Sequence, residues 1–194
     1  MGMKMVGFTF LIGTILSGCG STNATSIKSS AEATILGSEI EGTELTERFD
    51  LNGDGTPDVW KVSFLNDEGG DKTLLRKELD INFDGKVDIS KYYDVNGTME
   101  REELDLDFDG KVDAVNLYED GALVIREVDT SFDGNTDVWK FYDAGALVRK
   151  ERDVNGDSAV DSWEYYKEGK LTRVGSDRDG DGEPEFFEDA PSGS

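Results

Sequence analysis

The chain has 194 residues, with 43 Asp and Glu against 20 Lys and Arg, a formal charge of −23, no His and one Cys. So acidic a surface repels nucleic acid and anionic headgroups. One cysteine excludes an intramolecular disulfide, and without His or free thiolate a transition-metal centre is not expected.

At the start, Lys4 precedes an apolar stretch from Met5 to Leu16, followed by Ser17, Gly18 and Cys19. This is the layout of a secretory signal, and it is too short to span a membrane permanently. The run Leu16-Ser17-Gly18-Cys19 resembles the bacterial lipobox. That resemblance implies a signal peptide over residues 1–18, cleavage before Cys19, and lipid chains on its thiol that hold the protein to a leaflet without a transmembrane helix. The expected location is the bacterial cell envelope, at the outer membrane sooner than the inner because Gly20 rather than Asp follows the cysteine. Residues 19–43 are rich in Ser, Thr, Ala and Gly and read as a flexible tether.

A repeat follows. Loops begin at Asp50, Asp80, Asp105, Asp129, Asp153 and Asp177, with spacings of 30, 25, 24, 24 and 24 residues. Each opens with nine residues of the form Asp-x-(Asn/Asp/Ser)-x-Asp-Gly-x-x-(Asp/Glu), apart from Ser158 at the sixth position of the fifth copy. The 3 Trp, 10 Phe and 6 Tyr fall mostly within this pattern, which weighs against a disordered acidic segment.

Alternating positions of a tightly turning loop bring side chains 1, 3 and 5 together, while a backbone carbonyl serves at position 7. With an acid at position 9, the candidate ligands are as follows. The first loop supplies Asp50, Asn52, Asp54, Thr56 and Asp58, and the second Asp80, Asn82, Asp84, Lys86 and Asp88. The third supplies Asp105, Asp107, Asp109, Lys111 and Asp113, and the fourth Asp129, Ser131, Asp133, Asn135 and Asp137. The fifth supplies Asp153, Asn155, Asp157, Ala159 and Asp161, and the sixth Asp177, Asp179, Asp181, Glu183 and Glu185. An all-oxygen protein shell suits Ca2+ better than Mg2+, which demands near-octahedral geometry and keeps its waters. The Asp105 loop, with acids at all four side-chain positions, is expected to bind most tightly. The Asp153 loop is expected to bind most weakly, because Ser158 stands where the others have glycine.

After each loop comes a run alternating between faces, such as Val138-Trp139-Lys140-Phe141-Tyr142, then a turn carried by Gly97, Gly121, Gly145 or Gly169, then a second alternating run. The slots of Trp139 and Phe141 recur as Trp60 and Val62, Ser90 and Tyr92, Val115 and Leu117, and Trp163 and Tyr165, and are expected to pack inward. In the second runs Met99, Leu123, Leu147 and Leu171 share one position and Arg101, Ile125, Arg149 and Arg173 the next on that face. Glu103, Glu127 and Glu151 follow, and Arg with Glu is expected to form cross-strand pairs.

Positions 1 to 9 of the loops resemble the calcium loops of EF-hands and dockerins. They depart at position 12, where Lys61, Lys91, Asn116, Lys140, Glu164 and Glu188 stand, so four copies lack the bidentate glutamate. Closure by an acid at position 9, between strands, is closer to the FG-GAP loops of integrin-type propellers, although the period is too short for a four-stranded blade. The hairpin pattern from Tyr165 to Leu171 and from Phe141 to Leu147 is similar to MORN-variant repeats, which implies an elongated open sheet.

The expected architecture is all-β: an up-and-down antiparallel hairpin array over residues 44–189, of about eleven strands. It would be an open twisted sheet or a barrel, with calcium loops along one edge, glycine turns along the other, and a disordered tail at 190–194. The expected function is that of a calcium-binding, membrane-anchored lipoprotein that binds a protein partner or acts as a scaffold in the envelope, with no nucleic-acid partner. The alternative is a surface-exposed calcium-dependent adhesin. A carboxylate-based hydrolase is the third possibility, but the acids already have places in loops and no catalytic signature is present, so the chain is not expected to be an enzyme.

Overall fold

A computed structural model describes residues 33–66 and 71–189. The expected signal peptide, the lipidated Cys19 and the tail at 190–194 lie outside the described residues. All described regular structure is β-strand, and no helix among these residues is long and apolar enough to cross a membrane.

Thirteen strands form one sheet in strict chain order. They are β1 (Thr34–Glu41), β2 (Glu44–Asp50), β3 (Val59–Leu65), β4 (Lys72–Leu79), β5 (Ile89–Tyr93), β6 (Met99–Leu104) and β7 (Ala114–Glu119). The series continues with β8 (Ala122–Val128), β9 (Val138–Asp143), β10 (Ala146–Arg152), β11 (Ser162–Lys167), β12 (Lys170–Ser176) and β13 (Phe186–Asp189). Every neighbouring pair is antiparallel, and β1 and β13 are not joined, so the sheet is open rather than a barrel. The six Asp-rich loops connect β2–β3, β4–β5, β6–β7, β8–β9, β10–β11 and β12–β13, which puts all of them at one end of the strands and the hairpin turns at the other.

The sheet has more strands than the eleven expected, and it starts earlier than residue 44. β1 lies within the stretch read as a tether, and it pairs with β2 from Thr34↔Asp50 to Glu41↔Glu44. Its sequence, Thr-Ile-Leu-Gly-Ser-Glu-Ile-Glu, carries Gly and Ser that depress strand propensity, yet the free edge of β2 recruits it through main-chain bonds.

One bulge interrupts each hairpin joined by a turn, leaving Leu36, Leu75, Glu100, Val124, Val148 or Thr172 unpaired. Strand pairs joined by the Asp-rich loops have none. The bulge corrects one expectation. Met99 registers with Tyr93 and Arg101 with Tyr92, consecutive residues that face opposite ways, so the leucine series and the arginine series do not share a face.

A single layer has no interior side, so the slots expected to point inward form one of two solvated faces. The buried apolar residues are few: Val59, Val62, Ala114 and Trp163. Arginines on the tryptophan face sit opposite Tyr92, Leu117, Phe141 and Tyr165 rather than opposite glutamates. Their ion pairs run along one strand instead, Arg76–Glu78 at 2.9 Å, Arg101–Glu103 at 2.7 Å and Arg149–Glu151 at 2.9 Å, which corrects the expected cross-strand pairing for these arginines, whereas Arg48 on β2 does reach across to Glu39 on β1 at 2.8 Å. The physical reason is the row order: each strand presents Arg and Glu two residues apart, while its neighbours present aromatic or apolar groups. Arg149 also covers the Phe141 ring, 4.0 Å from its centroid.

Candidate metal centre

Among the described residues, most of the buried polar groups are carboxylates at the two ends of the Asp-rich loops, Asp50, Asp58, Asp80, Asp88, Asp105, Asp113, Asp129 and Asp153, the others being Ser63 and Asn116. The carboxylates organise each loop around its own main chain. At position 1, one oxygen accepts the amide of position 4 and the other the amide of position 6, as in Asp80 with Phe83 (2.6 Å) and Gly85 (2.7 Å). Asp50, Asp105, Asp129, Asp153 and Asp177 do the same with Gly53 and Gly55, Phe108 and Gly110, Phe132 and Gly134, Gly156 and Ser158, and Gly180 and Gly182.

Position 3 accepts the amide of position 5: Asn52 from Asp54, Asn82 from Asp84, Asp107 from Asp109, Asn155 from Asp157 and Asp179 from Asp181. Ser131 instead donates its amide to Asp129 and Asp137. Position 5 accepts from position 7: Asp54 from Thr56, Asp84 from Lys86, Asp109 from Lys111, Asp133 from Asn135, Asp157 from Ala159 and Asp181 from Glu183. These are successive Asx turns, each bending the chain so that the next side chain returns to the centre.

At position 9, the Oδ2 of Asp58, Asp88, Asp113, Asp137 and Asp161 accepts the amides of positions 2 and 3, closing the loop on itself. Sequence spacing marked this acid as a ligand but carried no signal of its bond to the loop's own amides. Loops are also hooked to one another by main-chain atoms. The amide of each position 1 donates to the carbonyl of the preceding position 9, at 2.8 Å for Asp80 to Asp58 and Asp105 to Asp88, 2.7 Å for Asp129 to Asp113, and 2.9 Å for Asp153 to Asp137 and Asp177 to Asp161.

Two positions in every loop have positive φ. Position 6 holds glycine at φ of 85–94° in five loops, or Ser158 at 70°. Position 4 holds Gly53, Gly156 or Gly180 in three loops, but Phe83 (64°), Phe108 (66°) and Phe132 (60°) in the others. The glycines of three copies are the one sequence signal of this second position, and nothing about the phenylalanines of the other three signals the left-handed region.

Three loops gather three carboxylates whose oxygens lie within 4.8 Å of one another: Asp80, Asp84 and Asp88; Asp105, Asp107 and Asp109; and Asp177, Asp179 and Asp181. In the other three, position 3 is Asn52, Ser131 or Asn155 and no such trio forms among the described residues. The trios differ in what faces them. In the second loop Asp88 is 2 % exposed and its Oδ1 is buried with no hydrogen-bond partner, as is Oδ1 of Asp58, 1 % exposed, in the first loop. A buried carboxylate oxygen without a donor is costly unless a cation meets it. In the third loop a cation is already there: Lys111 Nζ lies 2.6 Å from Asp109 Oδ2, and Lys86 Nζ reaches across from the second loop to the Asp109 carbonyl at 3.1 Å.

The electrostatics follow these contacts. Thr56 holds the Asp54 carboxyl below its ordinary value, Lys111 lowers that of Asp109, Thr130 that of Asp137, and the Gly182 amide that of Asp177. Glu185 goes the other way, raised by desolvation and by the charge of Asp179.

No family model and no curated protein matches this sequence. Among solved structures, the chain is similar to part of the accessory secretory protein 1, 2 and 3 structure of Streptococcus pneumoniae, with 17 % identity and a TM-score of 0.39 over 59 % of this chain. It is also similar to part of a GtfA/B complex, with 19 % identity and a TM-score of 0.37 over 57 % of this chain. The match spans a fifth of the length of each of those chains.

Proposed function

We propose that the Asp-rich loops hold calcium ions and that the array they stiffen is a binding or scaffolding lipoprotein of the bacterial envelope. In this proposal Cys19 carries the lipid anchor, a protein partner docks on the extended sheet, and the chain acts by binding rather than by turnover. The observation that carries calcium is the buried, partnerless Oδ1 of Asp88 beside the carboxylates of Asp80 and Asp84. Oxygen donors alone, on a loop able to supply a carbonyl at position 7, suit calcium better than a smaller or softer ion.

Metal bound only to the folded loops stabilises them by mass action. Thermal melts with calcium, with magnesium and with chelator should therefore differ, with calcium giving the highest transition and Asp88→Asn removing part of that gain. Identical melts in all three buffers would reduce the loops to hydrogen-bonded turns. For the anchor, Cys19→Ala should leave the protein uncleaved or released from the detergent phase; partitioning like wild type after signal removal would exclude lipid on Cys19. Protease treatment of intact cells adds the side of the membrane, since digestion would turn the proposal toward a surface adhesin.

A further inference from the structure

The face opposite the tryptophans carries a row that the strand register sets side by side. Arg126 on β8 pairs with Lys140 on β9, and Lys140 pairs with Lys150 on β10. Arg152, on the same face of β10 and opposite Val138, adds a fourth cation. Like charges directly across a strand pair are destabilising. A chain with 43 acids for 20 bases had every means to interleave them.

The acids nearby do not resolve the repulsion. Glu164 takes both Lys150, at 3.5 Å, and Arg152, at 3.4 Å. Among the described residues Lys140 and Arg126 have no ion pair, and the Arg126 Nε is buried without a hydrogen-bond partner. Burial, and then the charges of Arg126, Lys150 and Arg152, hold the Lys140 ammonium below its ordinary value. A second cationic row, Lys61, Lys77 and Lys91, shows the contrast. There Lys61 lies 4.7 Å from the centre of the Phe49 ring and Lys91 is 2.9 Å from Glu102, which leaves Lys77 alone unmatched.

Beside the unmatched row the surface is concave. A depression of about 460 Å³ is bounded by Lys140, Lys150 and Arg152, with Val128, Val138 and Val154 supplying apolar walls. Asp137 and Asp153 also border it, but their carboxylates are engaged by main-chain amides of their own loops.

We propose that this depression is a binding site for a single phosphoryl anion, a phosphate ester or inorganic phosphate. Lys140 on β9 and Lys150 and Arg152 on β10, strands about 4.8 Å apart, approach a ligand from several directions, while Arg126 on β8 lies outside the lining and adds only to the positive field. A tetrahedral oxyanion offers oxygens in several directions, whereas a carboxylate offers two in one plane. Guanidinium groups favour such oxyanions as bidentate partners. The acidic surface elsewhere confines the attraction to one phosphoryl group and excludes a nucleic-acid backbone.

The test is calorimetric titration of the full chain in metal-depleted buffer with two probes, inorganic phosphate and glycerophosphoglycerol, the deacylated headgroup of a common phospholipid. Metal depletion keeps phosphate from binding through the loops. Saturable binding of either probe, weakened about tenfold or more by Lys140→Gln and by Lys150→Gln but unchanged by Lys77→Gln, supports the site. Preference for the headgroup assigns it to lipid, and preference for inorganic phosphate to a soluble ester or ion. Without ligand, Lys140→Gln should melt at or above the wild-type temperature, because it relieves repulsion, so lost binding in that variant is not lost folding. Failure of both probes to saturate, equal binding by Lys140→Gln, or an equal loss in Lys77→Gln would overturn the proposal.

Discussion

Lys111 Nζ sits 2.6 Å from Asp109 Oδ2, on the carboxylate that a cation bound in the third loop would need. Side-chain count alone ranks the Asp105 loop as the tightest site, yet this ammonium competes for it. The Asp80 loop has the buried free oxygen of Asp88 instead. Calorimetric titration with calcium should show Asp88→Ala removing a tighter site than Asp107→Ala does. Lys111→Gln should tighten the third loop by up to about fivefold, the scale of one exposed ion pair. Unchanged affinity in Lys111→Gln would mean the lysine swings away at no expense.

Asp58 tests how much of each loop is hydrogen bonding rather than metal. Its Oδ2 takes the amides of Leu51 at 2.6 Å and Asn52 at 3.2 Å. Asp58→Ala strands both donors and should lower stability by about 2–4 kcal/mol even without calcium. Asp58→Asn keeps an acceptor and should be close to neutral in metal-free urea denaturation. If Asn and Ala variants unfold alike, the amide bonds are not what the carboxylate contributes.

Ser158, at φ 70°, occupies the left-handed region, as the glycine at this position elsewhere in the repeat implied. Ser158→Gly should raise stability by about 1 kcal/mol and Gly55→Ala, at φ 88°, should lower it by a similar amount. The expected weakness of the fifth loop does not follow from this residue alone, since Phe83, Phe108 and Phe132 impose the same kind of strain on three other loops. Opposite signs in paired urea melts are the check.

Two clusters on the cation-bearing face govern pH dependence. Burial works against the Glu102 carboxylate, but Lys91, Asn116 and Tyr118 together outweigh it and hold the group below its ordinary value. Glu164 is likewise opposed by burial and lowered by Tyr166, Lys150 and Arg152. A lowered carboxyl supplies stability that is complete above its unfolded value, about pH 4.3, and is lost as the pH falls through the folded one. Tyr166 is pushed up to about 12 by burial and by Glu164. Its contribution is complete below about pH 10 and disappears as the pH rises toward the folded value. Metal-free melts should thus fall off at both ends. Glu164→Gln should flatten both limbs, and so should Glu102→Gln, because Glu102 also raises Lys91 and, after burial, Tyr118.

The strand order and the placement of all six loops at one end were legible in the sequence, because period-two alternation and a fixed loop spacing leave few other arrangements. The bulges were not, since Leu75, Glu100, Val124, Val148 and Thr172 have no chemistry in common that would mark an unpaired residue. Of the site, the acids were legible and their division of labour was not. A pattern of Asp at positions 1 and 9 does not distinguish a free oxygen from one turned to an amide, and only the folded loop shows Asp58 and Asp88 with one of each. The crowding of Arg126, Lys140 and Lys150 depends on register between three strands, which residue spacing within one strand does not encode.

The hook from one loop to the next is made by main-chain atoms, the carbonyl of Asp113 with the amide of Asp129, then Asp137 with Asp153, then Asp161 with Asp177. It is therefore indifferent to which side chains fill the unit. Excising the stretch between two equivalent points removes a loop and a hairpin together and leaves the same joint behind; duplicating it adds both. Each such event changes the span of the sheet by two strands, about 10 Å. The array behaves as a ruler graduated in whole repeats, whose reach is set by copying a segment of coding sequence rather than by redesigning an interface.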